Sequence, residues 1–234
     1  MRTIYVLMAV LACGVVLLGA SPVDASMQGD VDQAATIIER FQAVPEKGIP
    51  QAVLKDARGL AIMTVIKAAF GISGRGGTGI VVARTGKGWS GPSAIGTGGA
   101  GFGFQIGAEV TEFVMILNTD AAVQAFSHDV NVTLGGDISV AAGPIGRTAS
   151  VAVTPVAAIY TYSRSQGLFA GVSLEGTVIG TRNDANAEYY GRPVTPEEIV
   201  SGKVPRRVGP CDWSRYSHAR RSPNAKATPA REAT

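Results

Sequence analysis

The sequence predicts an α+β domain: a curved antiparallel sheet or partial barrel, with an N-terminal amphipathic helix and short packed helices. Three observations predict it. Glycine supplies 30 of 234 residues while aromatics make up only 6% and charged residues 17%, a composition of tightly turned β structure more than of a helical bundle. From residue 60 to residue 180, apolar runs rich in branched side chains recur between glycine-rich turns. Helical periodicity, by contrast, is confined to one long segment near the N-terminus and a few short ones. At 46% hydrophobic the chain is not wholesale disordered, and its length suits one domain with a real core.

The N-terminus reads as an address. Arg2 precedes an apolar run from Ile4 to Ala20, followed by Ser21-Pro22-Val23-Asp24-Ala25-Ser26. One positive charge, an apolar core and a small-x-small end make a secretory signal peptide, with cleavage expected after Ala25. The protein is therefore expected to be exported, periplasmic or secreted. The run is near the lower length limit for a spanning helix, so a retained N-terminal anchor is the alternative. Lipid attachment at Cys13 is a third reading, poorly supported by Val10-Leu11-Ala12 before it and by the apolar residues that continue to Leu18. With the leader removed, Cys211 stands alone, which excludes an internal disulfide and two-cysteine metal sites.

Residues 28–44 follow a helical period. Val31, Ala34, Ala35, Ile37, Ile38, Phe41 and Val44 fill one side, while Asp32, Gln33, Thr36, Glu39 and Arg40 fill the other. Pro45 ends the helix. A short helix is expected over Pro50–Ala57, ended by Gly59. Strands are expected over Leu60–Ile66 and Gly79–Arg84, with a hairpin turn at Thr85-Gly86-Lys87-Gly88 before Trp89. Glu109–Asn118 reads as a strand, Thr119 caps a short helix ending near Phe126, and Asn131–Ala142 returns to strand. Gly143-Pro144-Ile145-Gly146 is a turn, with strands near 148–163 and 168–180. Thr195-Pro196-Glu197-Glu198 is a capping box closed by Gly202. The expected organisation is a signal peptide at 1–25, a domain at 26–202 and a disordered basic tail at 203–234. The tail carries 8 basic and 2 acidic residues, so the basic balance belongs to it; residues 1–202 hold 13 basic and 16 acidic.

Motifs for catalysis are weak. Gly96-Thr97-Gly98-Gly99-Ala100-Gly101 matches the dinucleotide fingerprint in letters, but Phe102-Gly103-Phe104-Gln105-Ile106 follows it with strand alternation where a helix is required. Glycines that permit curvature or close backbone packing explain it better. The glycines from Gly71 to Gly79 lack the Gly-Lys-Ser/Thr of a Walker loop. His128, beside Asp129, is read as structural, since no Gly-x-Ser-x-Gly elbow accompanies it. No His, Cys and carboxylate cluster has metal-ligand spacing. Neither an enzyme nor a cofactor is expected.

The apolar face at 28–44 has two available destinations, the sheet or a membrane. Its charge does not mark a basic anchor, because Arg40 stands against Asp30, Asp32 and Glu39. Positive charge would come from the tail or from Lys55, Arg58, Lys67, Arg75 and Arg84, which equally suit an ordinary solvated surface.

Several segments resemble the SYLF domain, a lipid-binding module of bacterial exported proteins and eukaryotic cortical actin proteins. They are Ala57-Arg58-Gly59-Leu60-Ala61-Ile62, Ser73-Gly74-Arg75-Gly76-Gly77-Thr78-Gly79, Trp89-Ser90-Gly91-Pro92-Ser93-Ala94-Ile95 and Phe113-Val114-Met115-Ile116-Leu117-Asn118. Gly143-Pro144-Ile145-Gly146-Arg147 and the long block from Tyr162 to Gly176 complete them, in the family's order over residues 30–205. The resemblance implies non-enzymatic binding of anionic phospholipids, phosphoinositides among them, at a membrane surface. The candidate lipid-binding residues are Ile37, Ile38 and Phe41 by shallow insertion, with Lys55, Arg58, Lys67, Arg75 and Arg84 holding phosphates. Nucleic acid is not expected, and with an export-like leader actin is not expected as a partner either. The alternative is an envelope scaffold whose basic tail binds partners or anionic polymers.

Overall fold

The computed structural model describes residues 26–43, 48–127, 140–142 and 158–205. The expected signal peptide, Pro45, His128 with Asp129, residues 131–139 of one expected strand, the turn at 143–146, the strand start near 148 and the tail from 206 lie outside the described residues.

Helix α1, Met27–Gln42, begins where Ser26 Oγ accepts the Gly29 N–H at 3.2 Å, which satisfies one of the orphan donors of its first turn. Helix α2, Gln51–Asp56, is short and leads directly into the sheet. The sheet consists of β1 (Gly59–Thr85), β2 (Gly88–Trp89), β3 (Ser93–Leu117), β4 (Val140–Ala142) and β5 (Ile159–Thr181). Its order is β2-β1-β3-β5-β4, antiparallel except for the parallel β4–β5 pair. Helix α3, Asp120–Ala125, is capped by Thr119 Oγ1, which accepts the Ala122 N–H at 3.1 Å. Helix α4 spans Asn183–Tyr190. Helix α5, Pro196–Val200, has the expected capping box, with Thr195 and Glu198 each hydrogen-bonded to the other's backbone N–H.

The architecture is the expected one, a curled antiparallel sheet forming a half-barrel with helices packed on it. The strands are longer than their sequence signals. The runs expected at 60–66 and 79–84 belong to one strand of 27 residues, because the glycines between them remain extended and paired, with Gly74 opposite Ala100 and Gly76 opposite Gly98. The dinucleotide-like glycines lie inside β3, and the runs around 160 and 170 join as β5. A straight strand of that length would reach about 90 Å at ~3.3 Å per residue. Instead β1 turns where its register with β3 shifts, between Phe70 and Ile72, and Gly71 there has φ +72°. Its two legs then meet. The Arg84 N–H donates to the Arg58 carbonyl at 2.7 Å, and a Cβ on Gly79 would sit 2.6 Å from Met63 Cα. Only glycine permits so close an approach.

The two largest apolar clusters lie one on each sheet face. Even-numbered residues, among them Leu60, Ile62, Ile80, Val114 and Tyr162, pack with Ile37 and Ile38 of α1 and Leu54 of α2. Odd-numbered residues, among them Met63, Val81, Met115 and Ile179, pack with Val123 of α3, the adjoining Phe126 and Val200 of α5.

Candidate functional site

The structure fixes the destination of the α1 apolar face. Ile37 and Ile38 are each 1% exposed and belong to the core, with half-buried Phe41 packed against them. The expectation that these three insert into lipid is corrected for this conformation: the even-numbered face of the sheet already takes them out of water, so lipid has little apolar surface there left to bury. Asp30 anchors the other end of the helix. Its carboxylate accepts from Thr78 Oγ1 at 2.5 Å and Arg182 Nη1 at 2.8 Å.

The five candidate cations do not form one patch. Lys55 is exposed on α2, and exposed Arg58 lies 3.9 Å from Asp120. Arg84 donates to the carbonyls of Ala57 (3.0 Å) and Leu54 (3.3 Å), and its guanidinium lies 4.8 Å from the centroid of the Trp89 ring. It ties the end of α2 to β1, a structural use of the side chain. These three sit where β1 begins and ends. Lys67 and Arg75 flank the bend instead, Lys67 buried and Arg75 half-buried. Burial, then the Arg75 charge, lowers the Lys67 pKa, with Glu109 opposing them in part. At the opposite end of the strand pair, burial pushes the Tyr162 phenol well above its ordinary range, with Tyr160 adding to the shift.

What sequence reasoning missed lies at the bend. There the even-numbered face of the sheet runs on beyond α1, with no other described element packed over it. Phe70, Ile72, Phe102 and Leu168 are exposed, and Phe104 is 97% exposed. Register brings them together: Phe70 stands opposite Ile106, Ile72 opposite Phe102, and Leu168 opposite Ala108. The odd-numbered side of β1 and β3 is mostly buried or half-buried and includes the polar Lys67, Ser73, Gln105, Glu109 and Thr111. Thr111 Oγ1 and Ser165 Oγ share a hydrogen bond of 2.8 Å across β3 and β5. The alternation Phe102-Gly103-Phe104-Gln105-Ile106 was the available signal. It marked two faces, but not which of them meets solvent.

Among the described residues no group of three His, Cys, Asp or Glu side chains could hold a metal ion. No helix among them is long and apolar enough to cross a membrane.

Comparison with known proteins gives the arrangement its lineage. The Ysc84 family model, described as "Las17-binding protein actin regulator", matches residues 98–216. "SH3 domain-containing YSC84-like protein 1" of Homo sapiens is 46% identical over 194 residues, covering 80% of this chain and 57% of that protein. "LAS seventeen-binding protein 3" of Saccharomyces cerevisiae is also 46% identical over 194 residues, covering 79% of this chain and 42% of its own. The chain thus spans about half the length of these relatives. The description of the family model, which names an actin regulator, overturns the expectation that set actin aside. That expectation rested on the leader-like residues 1–25, which concern where a chain is sent and not what its folded surface recognises. The SYLF resemblance holds: by the extent of both matches, this chain belongs to the Ysc84 family.

Proposed function

We propose that the domain is a non-enzymatic membrane-binding module that associates peripherally with anionic phospholipids. The observation that carries this reading is the apolar face at the bend, where aromatic and branched side chains from three strands stand in solvent. Contiguous apolar surface of this kind marks an interaction site. Lipid is favoured because that face bears no charged residue from Ile66 to Ile72 or from Phe102 to Val110, the ionic side chains there being odd-numbered. Export, with peripheral association at an envelope membrane, is supported by the leader-like residues 1–25. The family model's description as an actin regulator favours a second, compatible reading, an actin-related partner at another surface.

Co-sedimentation of the full chain with phosphatidylcholine vesicles, with and without phosphatidylserine, tests the proposal. Binding is expected to require phosphatidylserine and to weaken with salt. Phe104→Asp should reduce it at least tenfold with an unchanged Tm, because that side chain packs on nothing. A Phe104→Asp protein that sediments like the parent would end this reading. Filamentous actin in the same assay, without vesicles, examines the second.

A further inference from the structure

At the bend the outward positions are apolar, and charged or polar side chains are among those turned inward. On β1, Ile66, Ala68 and Phe70 are exposed while Val65, Lys67 and Ala69 are buried; on β3, Phe104 and Ile106 are exposed while Gln105 is buried. A domain end surrounded by water shows the reverse alternation, apolar inward and polar outward. Apolar outward and polar inward is the pattern of strands whose surroundings are hydrocarbon. The central strand β3 stays hydrogen-bonded to β5 through the tip and to β1 on either side of the register break between Phe70 and Ile72.

The length of this apolar face has a physical counterpart. From the turn at Phe70 back to Ile66 is about 13 Å of strand, and from Phe104 to Val110 about 20 Å, at ~3.3 Å per residue. With the strands inclined, that depth is close to one leaflet, about half of the ~30 Å hydrocarbon core. Two residues beyond Val110 the character changes. Glu112, buried, pairs with Arg40 of α1, which is 42% exposed, and stands in register with exposed Arg164 of β5. Two arginines therefore mark the level at which the apolar face stops.

Resting on the membrane reading above, we infer that the bend of the curled sheet enters the acyl region of a single leaflet as a three-strand tip. Phe70, Phe104, Ile106 and Leu168 contact the chains, and Arg40 and Arg164 meet lipid phosphates at the shoulder. The ligand is thus the hydrocarbon of one leaflet together with its anionic headgroups. Lys67, Arg75 and Glu109 keep their charge on the inner side, away from the chains. The α1 helix stays docked throughout, so binding needs no unfolding of the core.

Depth-dependent quenching by brominated phosphatidylcholine in phosphatidylserine-containing vesicles tests this on the full chain. Tryptophan is introduced by Phe104→Trp at the tip or by Lys87→Trp in the β1–β2 turn, and the signal of the parent protein is subtracted. Bromines deep in the acyl chains are expected to quench the first and not the second. Leu168→Trp provides an independent tip position. Arg164→Gln should weaken vesicle binding roughly fivefold without altering quenching of the bound tip. Sedimentation with vesicles and no quenching at either tip position would overturn the insertion while leaving the membrane reading intact. Failure of the parent chain to sediment with vesicles would overturn both.

Discussion

Lys67 shows how one residue can carry a conflict that the fold tolerates. The residue is largely covered by the fold, and its pKa falls because burial and the like charge of Arg75 outweigh attraction by Glu109. A lysine whose folded pKa lies below its unfolded value binds fewer protons folded than unfolded in the window between the two. Stability therefore rises with pH through that window, towards about 10.4. Lys67→Met, which keeps the stem and removes the charge, should raise Tm at pH 7. The gain should shrink as pH approaches 10, and parallel thermal melts of the two proteins from pH 7 to 10 check the sign. A constant difference would mean that packing and not charge sets the effect. Lys67 was singled out in the sequence only as one of five cations; its buried position came from the alternation of a strand hidden among glycines.

At the scale of elements, α1 is the instructive case. Its apolar period and its lone arginine were both legible, and the helix forms within a residue or two of where they placed it; its serine cap was not. Whether its face met sheet or lipid was not legible, because burying Ile37, Ile38 and Phe41 releases a similar free energy in either medium. The deciding contacts are distant in sequence: Asp30 to Thr78 and Arg182, and Arg40 to Glu112. Asp30→Ala removes the carboxylate that the largely buried Arg182 faces and should cost about 3 kcal/mol, read as a lower denaturant midpoint. Vesicle binding by the folded fraction should not change, since the proposed contacts are the tip and Arg40, which lies at the other end of the helix from Asp30. Helix α4 lacked even a local signal: it starts directly after β5 with no side-chain cap, and few of its residues are buried.

For the whole molecule, the doubling back of β1 decides everything that follows. It creates the tip, brings the strand's two ends together beside Arg58 and Arg84, and gives α1 a surface spanning both legs. Gly77 and Gly79 make it possible, since a Cβ on either would overlap a backbone carbonyl of the opposite leg, that of Thr64 or Ile62. Gly79→Val should therefore cost more than about 3 kcal/mol or prevent folding, seen as loss of a cooperative thermal transition. Gly74→Val, where a Cβ meets open space, should be nearly neutral. Equal effects at the two sites would show that chain flexibility, and not closeness of backbones, explains the glycines.

By itself the sequence determined the α+β class, helix α1, the capped helices α3 and α5, the β1–β2 hairpin and the resemblance that proved to be family membership. These rest on local chemistry: caps, turn residues, periodicity and contiguous motifs act within a few residues of one another. It did not determine that two apolar runs belong to one strand, that α1 is docked, or that the five basic candidates divide between two ends of the domain. Nor did it place the exposed apolar face. An apolar residue in a strand reads the same whether a helix, another sheet or lipid will cover it, because burial free energy depends on the area removed from water and not on what removes it. Only the tertiary structure shows where the helix cover ends, and so which apolar residues are still waiting for a partner.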